Sequence, residues 1–133
     1  MSEKRLHIII GILQNDQHEF CLAQRPAHVH LGGLWEFSGG KLEPGETPFE
    51  GLKRELAEEL GIEVICAEPY LAFPYDYPTH KVYLDFWRVI EFKGKPHGHE
   101  GQPIRWVKKS DLTHYDTPEA SQSLIDKLLS EST

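Results

Sequence analysis

The chain has 133 residues, 39% hydrophobic and 26% charged, which is the size and balance of one globular domain. Its formal net charge of −7 argues against a surface built to grip a polyanion such as DNA, while leaving room for a small anion held through a cation. Apolar runs far shorter than the roughly 20 residues of a membrane span, and no leader ahead of the first strand, give the expectation of a cytoplasmic protein with no membrane or nucleic-acid partner.

In chain order, "RLHIIIGILQ" (5–14) is rich in β-branched residues and reads as a strand, with "HEFCLAQR" (18–25) as its hairpin partner across an Asn-Asp-Gln turn. "PAHVHLGG" (26–33) is a loop carrying His28 and His30. "LWEFS" (34–38) is a short strand ended by Gly39-Gly40. A helix follows: Thr47 is its N-cap, Pro48 its first residue, Glu50 completes a capping box and Gly61 is its stop. Phe49, Leu52, Leu56 and Leu60 give it one buried stripe.

Residues 62–77 and 80–92 read as two long strands, 93–103 as a polar loop and 104–107 as a last short strand. "SDLTHY" is a turn of helix. A second helix starts at Thr117-Pro118, with Leu124, Ile125, Leu128 and Leu129 as its inner face. Cys21 and Cys66 each sit in an apolar run and read as buried thiols rather than a disulfide pair. Trp35, Trp87 and Trp106 fall in strand patterns as core or sheet-face residues. His97 and His99 have an H-x-H spacing but no cysteine nearby, which fits a polar loop better than a zinc site. Strands interrupted by two helices predict a mixed sheet with helices packed on it.

The informative stretch is "GGKLEPGETPFEGLKRELAEELG" (39–61). At about 100° per residue, Glu55, Glu58 and Glu59 fall within about 100° of one helix face, bordering the apolar stripe rather than opposing it. Like charges at that spacing repel, more so beside a low-dielectric core. Gly51, on the carboxylate side, costs about 1 kcal/mol relative to Ala in a helix interior and so suggests close approach by another group. A cluster of carboxylate oxygens suits Mg²⁺ or Mn²⁺.

This stretch resembles the signature of the Nudix hydrolases: Gly, five residues, Glu, seven residues, Arg-Glu, an aliphatic, any residue, Glu-Glu, any residue, Gly, aliphatic. Gly40, Glu46, Arg54, Glu55, Leu56, Glu58, Glu59, Gly61 and Ile62 meet it without a gap, a box over 40–62 inside a single domain spanning 1–133. "LAQRPA", "LWEFSGGKLEPGET" and "HEGQPIRWV" resemble the MutT-type subgroup. The resemblance implies an α/β/α sandwich around a central mixed sheet, an α/β (α+β) fold.

It also implies roles. Glu55, Glu58, Glu59, Glu100 and the Gly39 carbonyl would hold Mg²⁺ or Mn²⁺, with Glu46 and Arg54 bracing loop against helix. Either Glu55 or Glu100 would be the base. Arg25, His30, Glu36, Phe37, Gly40, Lys41 and Ser121 would meet the substrate, with Phe37 the aromatic neighbour of a base. Divalent cations there would offset polyphosphate charge so that water can attack phosphorus.

MutT-type enzymes convert a nucleoside triphosphate, 8-oxo-dGTP among the best known, to the monophosphate and pyrophosphate. The expectation is therefore a monomeric, metal-dependent nucleoside triphosphate pyrophosphohydrolase that sanitises the nucleotide pool. Those enzymes place an Asn at the start of the last helix, whereas this chain has Ser121 with Gln122 beside it. A hydroxyl does not reproduce an amide's paired donor and acceptor. "LAQRPA" and "GLWEF" also resemble a sister group acting on CTP and modified pyrimidine nucleotides, so the preferred base stays open between the two, as does a non-catalytic nucleotide-binding module. Ser38 stands where many relatives carry Pro before the Gly pair.

Overall fold

The computed structural model describes residues 5–131; residues 1–4, part of the stretch read as leaderless, and 132–133 lie outside them. β1 (Leu6–Ile12) lies inside a four-stranded sheet. It runs antiparallel to β4 (Gly39–Lys41) on one side and parallel to β6 (Lys81–Lys93) on the other. β5 (Glu63–Asp76) completes that sheet as the antiparallel partner of β6. A second, antiparallel sheet holds β2 (Phe20–Gln24) between β3 (Trp35–Glu36) and β7 (Ile104–Val107).

The hairpin expected between the first two strands is thus reduced to a bridge from Gln14 to Phe20 and the bond from Cys21 N to Leu13 O. Both edges of β1 are taken by β4 and β6, so β2 has no free edge to follow and builds its own sheet. The strand expected over 34–38 is reduced to β3, and the glycine pair expected to end it instead opens β4 in the other sheet, across Phe37-Ser38.

Alternation along the strands sends side chains to two cores. α1 (Pro48–Leu60) covers one face, where Leu52, Leu56 and Leu60 pack with Ile9, Leu13, Ile62 and Val64. α2 (Gln122–Ser130) covers the other, where Leu124, Ile125 and Leu128 meet Ile12, Leu22, Val82, Leu84 and Phe86. The result is the expected α/β/α sandwich on a mixed sheet. α1 begins as its sequence dictates: Thr47 accepts from Glu50 N, Glu50 returns the bond to Thr47 N, and Gly61 ends the helix at φ 67°.

Other expectations are corrected. The last helix does not start at Thr117-Pro118, because a 3₁₀ turn at Glu119–Ser121 precedes α2. Leu129 is 40% exposed, a further turn of about 100° from Leu128 carrying it off the inner face. Cys21 is buried and its thiol is pushed up to about 12 by desolvation, but Cys66 is exposed. Irregular pairing between Val64, Cys66 and Ala67 rotates β5 there, keeping Val64 in the core and turning Cys66 outward.

Candidate active site

The glycine pair seats the site. A Cβ on Gly39 would lie 2.1 Å from the Ile9 carbonyl oxygen, so only glycine lets β4 press against β1. A Cβ on Gly40 would lie 2.5 Å from the Glu55 carboxyl, so the second glycine lets that carboxylate rest against bare backbone. The group that approaches Gly51 is Leu42, whose Cδ2 would meet an added Cβ at 2.2 Å; this glycine serves packing between loop and helix.

Arg54 joins the loop to α1. Its Nε and Nη2 donate to the two Glu46 oxygens at 2.6 and 2.9 Å, and Nη2 also donates to the Lys41 carbonyl at 3.0 Å. Nη1 donates to Glu55 at 2.7 Å and lies 3.6 Å from Glu58. The guanidinium holds the Glu46 carboxyl down at about 2, helped by the Glu43 N–H, and the same carboxylates push Arg54 further up. The brace expected between Glu46 and Arg54 is therefore a bidentate pair.

Glu55, Glu58 and Glu59 do not share one environment. The Glu58 side chain is 52% exposed, while that of Glu55 is 13% exposed. The Glu59 carboxyl is raised well above the ordinary carboxylate range, first by burial, then by its hydrogen bond to Glu55, and then by the charges of Glu55, Glu100 and Glu36.

Two cavities meet beside this helix. One, of about 300 Å³, is lined by Ser38, Gly39, Glu59, Glu100 and Gln102. The other, of about 330 Å³, has an apolar floor that includes Ile8, Ile10, Phe37, Leu84 and Phe86, with His30, Lys41 and Ser121 among its polar lining. Arg25, Glu36 and Gly39 line both. Arg25 is fixed by donating to Glu36 at 2.8 Å and to the His30 carbonyl at 2.8 Å. Burial raises the Glu36 carboxyl, and Arg25 partly offsets that. An apolar chamber for a flat ring thus opens through a polar junction into an acidic one.

Every residue expected at the substrate lines the larger chamber, Phe37 as a nearly buried ring against Phe20. His28 lines neither chamber. Sequence reasoning missed Tyr77 and His80, which stack at 4.9 Å and meet His30 edge-on to form an aromatic border of that chamber. Aromatic residues around the "YPTH" turn were the available signal. It also missed Gln102, two residues beyond Glu100.

Among the described residues, no group of three or more His, Cys, Asp or Glu side chains is drawn close enough to hold an ion. The donors nevertheless fit a hard divalent cation. Glu55, Glu59, Glu100 and the Gly39 carbonyl all offer oxygen, Gly40 lets the Glu55 carboxylate sit against the backbone, and the Ser38 hydroxyl on the cleft is buried without a hydrogen-bond partner.

A two-helix sandwich with carboxylates on α1, an arginine bracing them to the loop after β4 and an apolar-floored chamber alongside fits a phosphoanhydride hydrolase that works through a divalent cation. The NUDIX domain model matches residues 9–127, and the chain belongs to that family as a Nudix pyrophosphohydrolase. It is 38% identical to the 8-oxo-dGTP diphosphatase of Escherichia coli K12, across 94% of this chain and 97% of that protein. It is 34% identical to the CTP pyrophosphohydrolase of the same strain, across 95% and 93%. A solved MutT structure, from work on Aliivibrio salmonicida and Vibrio cholerae, superposes with a TM-score of 0.84 at 41% identity, across 95% of this chain and 98% of that one.

Proposed function

We propose that the chain hydrolyses nucleoside triphosphates to the monophosphate and pyrophosphate, with 8-oxo-dGTP as preferred substrate, using Mg²⁺. The observation that carries this reading is the pair of chambers joined at Arg25, Glu36 and Gly39: one takes a base, the other the polyphosphate. Gly39, Glu55, Glu58, Glu59 and Glu100 would hold the ion, which supplies charge neutralisation at the attacked phosphorus. Arg25 at the junction orients a phosphate, and Arg54 keeps the helix and loop in register.

A water loses a proton to a carboxylate as its oxygen attacks one phosphorus of the α–β anhydride, and that P–O–P bridge breaks to leave monophosphate and pyrophosphate. Glu55 is already tied to Arg54, whereas Glu100 lines the cleft, which favours Glu100 as the base. The reading includes a monomer, and a free nucleotide pool as substrate fits the cytoplasm. No helix among the described residues is long and apolar enough to cross a membrane.

Ser121 on the larger chamber favours a second reading, a pyrimidine triphosphate substrate, since the amide suited to an oxidised guanine is missing there. Competition among 8-oxo-dGTP, dGTP, CTP and 5-hydroxy-dCTP, following pyrophosphate with Mg²⁺ present or chelated, separates these. The first should win and Ser121→Asn should raise its preference over dGTP. A CTP or 5-hydroxy-dCTP winner transfers the assignment to pyrimidines, and binding without turnover makes the domain a nucleotide sensor.

A further inference from the structure

Glu59 and Glu100 line the same cleft but come from unrelated parts of the chain, one near the end of α1 and the other on the loop before β7. Some feature must hold them in register, and the candidate is the amide of Gln102, two residues beyond Glu100 on the same loop. Gln102 Nε2 donates to the Glu59 carbonyl oxygen at 2.7 Å, and Gln102 Oε1 accepts from the Glu100 N–H at 3.0 Å. One planar group therefore binds the main chain of both carboxylate residues. Only this orientation makes both bonds, because the flipped amide would set oxygen against oxygen and N–H against N–H.

We infer that Gln102 is a positioning residue that sets the spacing between the Glu59 and Glu100 carboxylates, acting through their backbones without touching substrate. This rests on the metal-dependent reading of the cleft. The main-chain bonds from His97 N to the Leu60 carbonyl and from His99 N to the Glu59 carbonyl dock the loop on the helix end up to the residue before Glu100, and none of them engages Glu100 itself. Gln102 is the side chain that reaches from beyond Glu100 back to the helix. Gly98 lets the loop close on itself, since a Cβ there would lie 1.8 Å from the Gln102 carbonyl oxygen. A hydrophobic side chain at 102 removes both bonds, and Asn retains the amide on a stem too short to span both partners.

The test compares Gln102→Leu and Gln102→Asn, each alone and combined with Glu100→Gln. Four quantities are read: kcat and KM on the nucleotide the wild type turns over, Mn²⁺ affinity by electron paramagnetic resonance without nucleotide, and thermal unfolding. Expected is a fall in kcat of about tenfold or more with KM nearly unchanged, and Mn²⁺ binding weakened by about tenfold, the range of orienting partners at metal sites. In the Glu100→Gln background the Gln102 change should cost no further kcat. Unchanged Mn²⁺ affinity, or kcat losses that multiply with Glu100→Gln, overturns the inference even if the melting temperature falls. If Gln102→Leu does not fold, the same criteria apply to Gln102→Asn. Should the wild type turn over no nucleotide, the proposed function fails by itself and the Mn²⁺ titration still decides the role of Gln102.

Discussion

Within the cleft, Glu59 keeps its proton to higher pH than an ordinary carboxyl because burial and the neighbouring Glu55, Glu100 and Glu36 all disfavour its charge. In metal-free protein the unfolded chain therefore gives up this proton first as pH rises above the usual 4.5. Stability contributed by protonated Glu59 is complete below that pH and declines as pH climbs. Glu46 acts in the other direction: its pair with Arg54 stabilises above the ordinary range and is lost as pH falls through about 2. Melting temperature measured against pH in chelator should thus decline as pH rises from about 4.5 to about 9. Glu59→Gln should flatten that decline while cutting turnover by orders of magnitude. Near-normal turnover in Glu59→Gln would remove this residue from the metal site.

α1 is a platform that presents its polar face to the cleft while its apolar face is locked in the core. Leu52 and Leu56 are fully buried, and the space above Gly11 is filled by both. Leu56→Ala should destabilise the fold by about 2–5 kcal/mol, the usual cost of an emptied leucine site. Urea denaturation checks the value, and a loss below about 0.5 kcal/mol, the scale of a surface change, would mean that the helix is not anchored there. Most of this element was legible beforehand. Its cap, stop, stripe and carboxylate face lie within one contiguous stretch, where helical spacing fixes who faces whom, and the resemblance supplied the brace. α2 was less legible: Leu129 fits its apolar count but points to solvent, and its entry is a 3₁₀ turn.

At the scale of the molecule, an acidic cleft that attracts cations couples folding to metal. Mg²⁺ or Mn²⁺ at about 100 times its Kd should stabilise the protein by about 2.7 kcal/mol if the unfolded chain does not bind it. The gain should be larger at alkaline pH, where the ion no longer competes with a proton on Glu59. Calorimetry with and without chelator reads it, and a melting temperature indifferent to both ions would contradict a metal site.

The sequence by itself determined the acidic helix, its cap and its apolar stripe, because those relations are local and follow from helical geometry, and it carried the family signature; the brace and the residues expected at the substrate came from the resemblance. Only the tertiary structure decided that β2 leaves β1 for its own sheet, that a bulge turns Cys66 outward, that Tyr77 and His80 border the larger chamber and that Gln102 spans to Glu59. These depend on which strand edges are already taken and on contacts between segments far apart in the chain, and no periodicity within a segment encodes such a choice.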